Sequence, residues 1–146
     1  MRFLLTMLLC CVPLAADVAA DLAQVRAEPN LEKRSRAALD LAERSLKASR
    51  QAYTAGEMAQ VSALLEEVEQ SVDLAESSLK ETHKDPIKSP KHFKYAEMKT
   101  VDLLRKLEAF SQDISVDDRP MVEKTKEKVQ GAHVRLLQGI MMGKKK

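Results

Sequence analysis

Between residues 58 and 79 the apolar side chains return at alternating steps of three and four: Met58, Val61, Leu65, Val68, Val72, Ala75 and Leu79. That spacing puts every one of them on a single stripe of an α-helix, whereas a strand would scatter them over both faces. A stripe three heptads long is unstable in water unless other apolar surface covers it. Leu64 and Leu74 widen it beyond the narrow seam of a two-stranded coiled coil, so the cover expected is a globular helical bundle.

The rest of the chain supplies matching stripes. Asn30 is placed to cap a first helix running to about Ala55, with Ala38, Leu39, Ala42, Leu46, Ser49, Ala52 and Tyr53 inward and Gly56 as its stop. Ser89-Pro90 reads as cap and first-turn proline of a helix to about Gln112, with Phe93, Ala96, Thr100, Leu103, Leu107 and Phe110 inward and Ile114 just beyond. Asp117 or Asp118 caps a last helix, entered through Pro120, carrying Val122, Thr125, Val129, Ala132, Leu136 and Ile140 and ending at Gly139 or Gly143. Aromatic residues are only 3% of the chain and no segment alternates with period two. The reading is all-α: an antiparallel, up-and-down four-helix bundle made of two long helical hairpins, spanning residues 30–143 and followed by a basic tail, 144–146.

The N-terminus has a different character. Arg2 precedes an apolar run from Phe3 to Val12, then Pro13 and the small residues around Ala16 and Ala20. This is the layout of a secretory signal peptide over residues 1–20, cut after Ala20 or, failing that, after Ala16. The run falls short of the ~20 residues that span a bilayer. Residues 21–29 then read as a lead-in. Cys10 and Cys11 both fall in the signal, so a mature chain would have no disulfide, no thiolate nucleophile and no cysteine metal site. The expected location is periplasmic or secreted.

Two local resemblances follow from the turns. Ala52-Tyr53-Thr54-Ala55-Gly56-Glu57 resembles the inter-helix turn of a tetratricopeptide repeat. The segments Glu28-Pro29-Asn30-Leu31-Glu32-Lys33-Arg34-Ser35, Ser89-Pro90-Lys91-His92-Phe93-Lys94 and Ser115-Val116-Asp117-Asp118-Arg119 resemble a group of uncharacterised exported helical proteins of acidobacterial type. The resemblance implies an exported, all-helical protein and assigns no activity.

Charge is distributed by helix. The net charge is only +2, yet residues 57–79 hold six carboxylates and no Lys or Arg. The flanking segments are basic, which suits either helix-to-helix complementarity or an acidic face, Glu66, Glu67, Glu69 and Asp73, offered to a partner. From Lys80 to Lys99 six lysines stand against Glu81, Asp85 and Glu97. Within that stretch Lys84, Lys88, Lys91 and Lys94 form the candidate contact surface, toward an acidic envelope protein or an anionic lipid surface. Nucleic acid is not expected, because stacking aromatics are scarce.

Catalytic patterns are missing from the sequence. There is no His-Glu-x-x-His, no Glu-x-x-His, no Gly-x-Ser-x-Gly and no Cys-x-x-Cys-His. Gly139 to Lys144 is one residue short of a phosphate-binding loop and follows no strand. His83 and His92 border one connection, with Asp85 between them, and are the candidate metal pair. His133 is the candidate haem ligand, without a methionine on the first mature helix to complete the set; Met58 and Met98 read as packing residues. No cofactor is assigned. The expectation is a non-enzymatic interaction or structural module of the envelope, with a haem- or metal-binding bundle as the alternative. Stripes left uncovered within one chain would make it a homodimer.

Overall fold

The structure, a computed structural model, describes residues 15–143, with side chains from Ala20 onward. The apolar run of the signal segment and the tail 144–146 lie outside the described residues. Five helices follow in order: α1 (Ala15–Arg26), α2 (Leu31–Thr54), α3 (Met58–Glu81), α4 (Lys91–Asp113) and α5 (Arg119–Met142). No strand occurs among the described residues. The all-helical class therefore stands, and the count of four helices is corrected to five.

The extra helix replaces the expected lead-in. Leu22 and Val25 are three residues apart on one face of α1, and both are buried with Ala38 and Leu39 of α2 and Ala75 and Leu79 of α3. That burial gives a twelve-residue helix a reason to form that its isolated sequence lacks. α1 crosses both expected cleavage points, Ala16 and Ala20.

The four long helices pair as two hairpins, α2 with α3 and α4 with α5. The hairpins dock side by side, so α2 meets α4 and α3 meets α5, while α2 and α5 stand at opposite corners. Partners along these junctions rise together in sequence. Asp40 and Glu43 face Lys99, and Arg50 faces Asp113. Glu69 faces Thr125, and Glu76 faces Arg135. α2 and α4 thus run parallel, as do α3 and α5. An up-and-down ring, in which every neighbour is antiparallel, is not what forms. Its place is taken by two antiparallel hairpins joined across the bundle by residues 82–90.

The core follows the predicted stripes. Phe93, Ala96, Thr100, Leu103, Leu107, Phe110 and Ile114 are all buried, as are Val122, Thr125, Val129, Ala132 and Leu136. On α3 every stripe residue is buried except Met58, which lies in the first turn, beyond the cover of neighbouring helices. Met98 is 66% exposed and does not pack, because it points away from the face that carries Phe93 and Ala96.

The turns are specific. Asn30 caps α2 as expected, its side-chain oxygen accepting from the Lys33 amide at 2.9 Å. At the other end Glu57 N–H donates to the Ala52 carbonyl and Gly56 N–H to that of Tyr53, with Gly56 at φ +76°. This is a Schellman stop, and it needs the glycine's freedom at positive φ. The side-chain caps predicted for α4 and α5 do not form, although Asp118 keeps the N-cap position of α5 with Pro120 in its first turn. Ser89 spends its amide on the Asp85 carbonyl, and α4 begins after Pro90 without a side-chain cap. The Asp118 carboxylate accepts instead from the hydroxyls of Tyr53 (3.0 Å) and Ser115 (2.8 Å). The Ser115 amide in turn donates to the Tyr53 oxygen at 3.0 Å. Tyr53, which also meets the Phe110 ring edge-on, latches the end of the first hairpin to the turn of the second.

Tyr53→Phe keeps the ring and removes the latch. We expect destabilisation of about 1–2 kcal/mol, read as a lower urea midpoint at unchanged slope. An unchanged midpoint would show that the latch contributes nothing.

Candidate functional site

The connection 82–90 and the helix ends it joins make one end of the molecule unlike the rest. α3 stops where His83 adopts φ +55°, a left-handed conformation usually left to glycine. The chain then crosses toward α4, burying Pro86 on the way. Gly139 of α5 lies against it, and a Cβ there would stand in ordinary contact with the Pro86 ring, 3.5 Å away. Gly143 lies under Ile87, whose side chain a Cβ would meet at 2.8 Å.

Between this crossing and the helices lies a cleft of about 270 Å³. Phe93, Leu136, Pro86 and the two glycines give it an apolar interior; Lys80, His83, Lys84, Glu76 and Arg135 complete its wall. Glu76 is the fixed point of that wall. Its carboxylate is 7% exposed and receives Arg135 through Nε (2.7 Å) and Nη2 (2.8 Å), with Lys80 Nζ at 2.7 Å. Burial pushes this carboxyl up, but the hydrogen bonds and charges of Arg135 and Lys80 outweigh it and hold the group below its ordinary range. The bidentate Arg135 also ties α5 to α3.

The lysines named from sequence gather here unequally. Lys84 lines the cleft and is bound to Glu32 of α2. Lys88, Lys91 and Lys94 are exposed, and none enters an ion pair among the described residues. Lys91 does lend its charge to lowering the carboxyl of Glu32.

The acidic face on α3 divides into three different environments. Glu66 and Asp73 are exposed. Glu69 is half-buried and accepts the Thr125 hydroxyl at 2.8 Å. Glu67 is not on the surface at all; it is 4% exposed and its Oε1 accepts from Ser45 at 2.5 Å. The helix turns Glu67 toward α2 and α1 rather than to solvent. Burial, with a further contribution from the charge of Asp21, pushes its carboxyl above the ordinary range, against the Ser45 hydrogen bond. Its Oε2 and the hydroxyls of Ser71 and Ser78 have no hydrogen-bond partner among the described residues.

The histidines are held separately. His92 Nε2 faces Glu32 at 3.2 Å. His133 Nδ1 faces Thr100 Oγ1 at 3.3 Å and Glu97 at 3.6 Å, across the α4–α5 junction rather than toward the cleft. His83 lines the cleft wall. Among the described residues no group of three or more His, Cys, Asp or Glu is arranged to hold a metal ion, and no helix is long and apolar enough to cross a membrane.

A second charged cluster lies on the α2–α4 junction. Glu43 receives Lys106 and also Lys99 at 3.0 Å, which hold its carboxyl down to about 2. Sequence reasoning assigned no role to Glu43, Glu76 or Arg135, because the ion pairs join residues about sixty positions apart. The i, i+4 spacing of Gly139 and Gly143 is legible in the sequence but signals a helix end or an incomplete phosphate loop, not a cleft wall.

No family model matches this chain, and neither a curated protein nor a solved structure matches it.

Glu43 and Glu67 act oppositely with pH. Glu43, depressed, stabilises the fold above about pH 4.5, and that contribution fades as pH falls toward 2. Glu67, raised, favours the fold below its unfolded pKa, a contribution lost as pH rises through the folded value. Glu67→Gln should therefore raise the melting temperature at pH 7 relative to the parent, with the gain shrinking at pH 4. A loss of stability at pH 7 would show that the charged carboxylate is favourable where it lies.

Proposed function

We propose that this chain is a non-enzymatic interaction module of the cell envelope, delivered by the N-terminal signal and docking an acidic partner protein through its lysine-bearing end. The observation that carries the reading is the contrast between the two charged regions. Of the α3 carboxylates that could have faced a partner, Glu67 and Glu69 are engaged inside the molecule, leaving only Glu66 and Asp73 of that face to solvent. Lys88, Lys91 and Lys94 are presented to solvent on a connection and helix start held in place by Pro86, Gly139 and the Lys84–Glu32 pair.

A compact group of solvated lysines gains little from pairing within the chain. It can steer and orient an oppositely charged surface, an effect that weakens as salt screens it. One feature supports a binding role over a catalytic one: the buried carboxylate in the cleft wall, Glu76, is held by Arg135 and Lys80. An anionic lipid surface is the second acidic target that the same lysines fit.

Reversal of Lys88, Lys91 and Lys94 to Glu should abolish salt-sensitive capture of a stoichiometric acidic partner from envelope extract, with the helical circular dichroism unchanged. Capture of the same partner by the reversed protein would contradict the assignment. Loss of binding to vesicles of anionic lipid, with no protein captured by the parent, would move it to the membrane surface.

A further inference from the structure

The cleft itself has a chemistry distinct from the lysine surface beside it. We propose that it binds a single aliphatic chain with an anionic head, a carboxylate of about eight to ten carbons. At about 30 Å³ for each water-sized group, 270 Å³ holds about nine. That is room for one short chain. Phe93, Leu136 and Pro86 offer such a chain apolar contact on three sides, from α4, α5 and the connection. Pockets of this kind take orientation from a few polar groups at one edge.

The sign of the head follows from the wall. Lys80, Lys84 and Arg135 stand against one carboxylate, Glu76. Arg135 is committed to Glu76 by two hydrogen bonds. Lys80 and Lys84 are not exhausted: their side chains are 65% and 50% exposed, and each ammonium has three protons, of which Glu76 or Glu32 takes one. A carboxylate at the mouth would complete both. A cationic head would meet the same two ammonium groups and be repelled.

Gly139 sets the depth. It lines the cleft, and it faces Pro86 across only 3.5 Å to where a Cβ would stand. A branched side chain there would occupy the volume the chain needs, while improving the intrinsic helix preference of α5. The site is separable from the docking surface, because reversing Lys88, Lys91 and Lys94 leaves Lys80 and Lys84 in place.

The test is titration of the ¹⁵N-labelled full-length protein with decanoate, below its micelle concentration, followed by amide shifts. Decanol and decyltrimethylammonium serve as the uncharged and cationic probes. Saturable shifts should centre on Phe93, Leu136, Gly139 and Gly143. Decanoate should bind about tenfold more tightly than decanol, the scale of one charge-assisted hydrogen bond, and the cation more weakly than either. Gly139→Leu should remove binding of all three with the fold retained. Lys80→Gln should reduce the advantage of decanoate while leaving decanol binding intact, an outcome that does not depend on the glycine variant folding. Equal affinity for the anionic and cationic probes would overturn the proposal. So would shifts centred elsewhere, or no saturable shifts at these four residues.

Discussion

The docking of one hairpin on the other is the constraint from which the rest of this structure follows. Each hairpin is local, closed by a connection of only a few residues, and buries part of its apolar stripe by itself. Neither covers it fully. The remaining surface of α2 and α3 must meet that of α4 and α5, and apolar contact alone does not say which helix faces which. The ion pairs at the two junctions do. Glu43 with Lys99 and Lys106 joins α2 to α4, and Glu76 with Arg135 joins α3 to α5. The opposite pairing, α2 with α5 and α3 with α4, would separate all of these groups. Partly buried charges that lose their partners cost more than the pairs are worth when made, so they act mainly by excluding wrong arrangements.

This arrangement explains where the cleft lies. Because α3 packs mainly on α2 and α5, and α4 mainly on α5 and α2, residues 82–90 must cross the end of the bundle. A crossing segment cannot pack as closely as a helix, and the space it leaves over Leu136 and Phe93 is the cleft. The same crossing displays Lys88 on its outer side. The exposed lysines and the cleft are thus two consequences of one topological choice.

Much of the fold could be read from spacing. The stripes on α4 and α5 are buried almost residue for residue, because a 3–4 repeat has one sensible use and the helix fixes where each side chain goes. Gly56 was legible for the same reason: a left-handed stop needs it. What spacing could not convey was contact between distant positions. Glu67 and Glu66 are neighbours in sequence and look alike; one is sealed against Ser45 and the other is in water. Asp118 has the side chain of a helix cap and is used by Tyr53 instead. α1 was hidden because Leu22 and Val25 are too few to make a stripe, and their burial depends on a groove that α2 and α3 create. Of the site, the lysine cluster was visible as composition. The cleft was not, since its wall is drawn from α3, α4, α5 and the crossing segment.

The claim that the hairpins dock through charged junctions is tested most directly by a double-mutant cycle on Glu76→Gln and Arg135→Gln, measured by urea unfolding at pH 7. If α3 and α5 are joined by this pair, the two changes should be strongly non-additive, with a coupling of about 1–3 kcal/mol. Additivity within about 0.5 kcal/mol would show that Glu76 and Arg135 do not meet, and that the hairpins pack in another order.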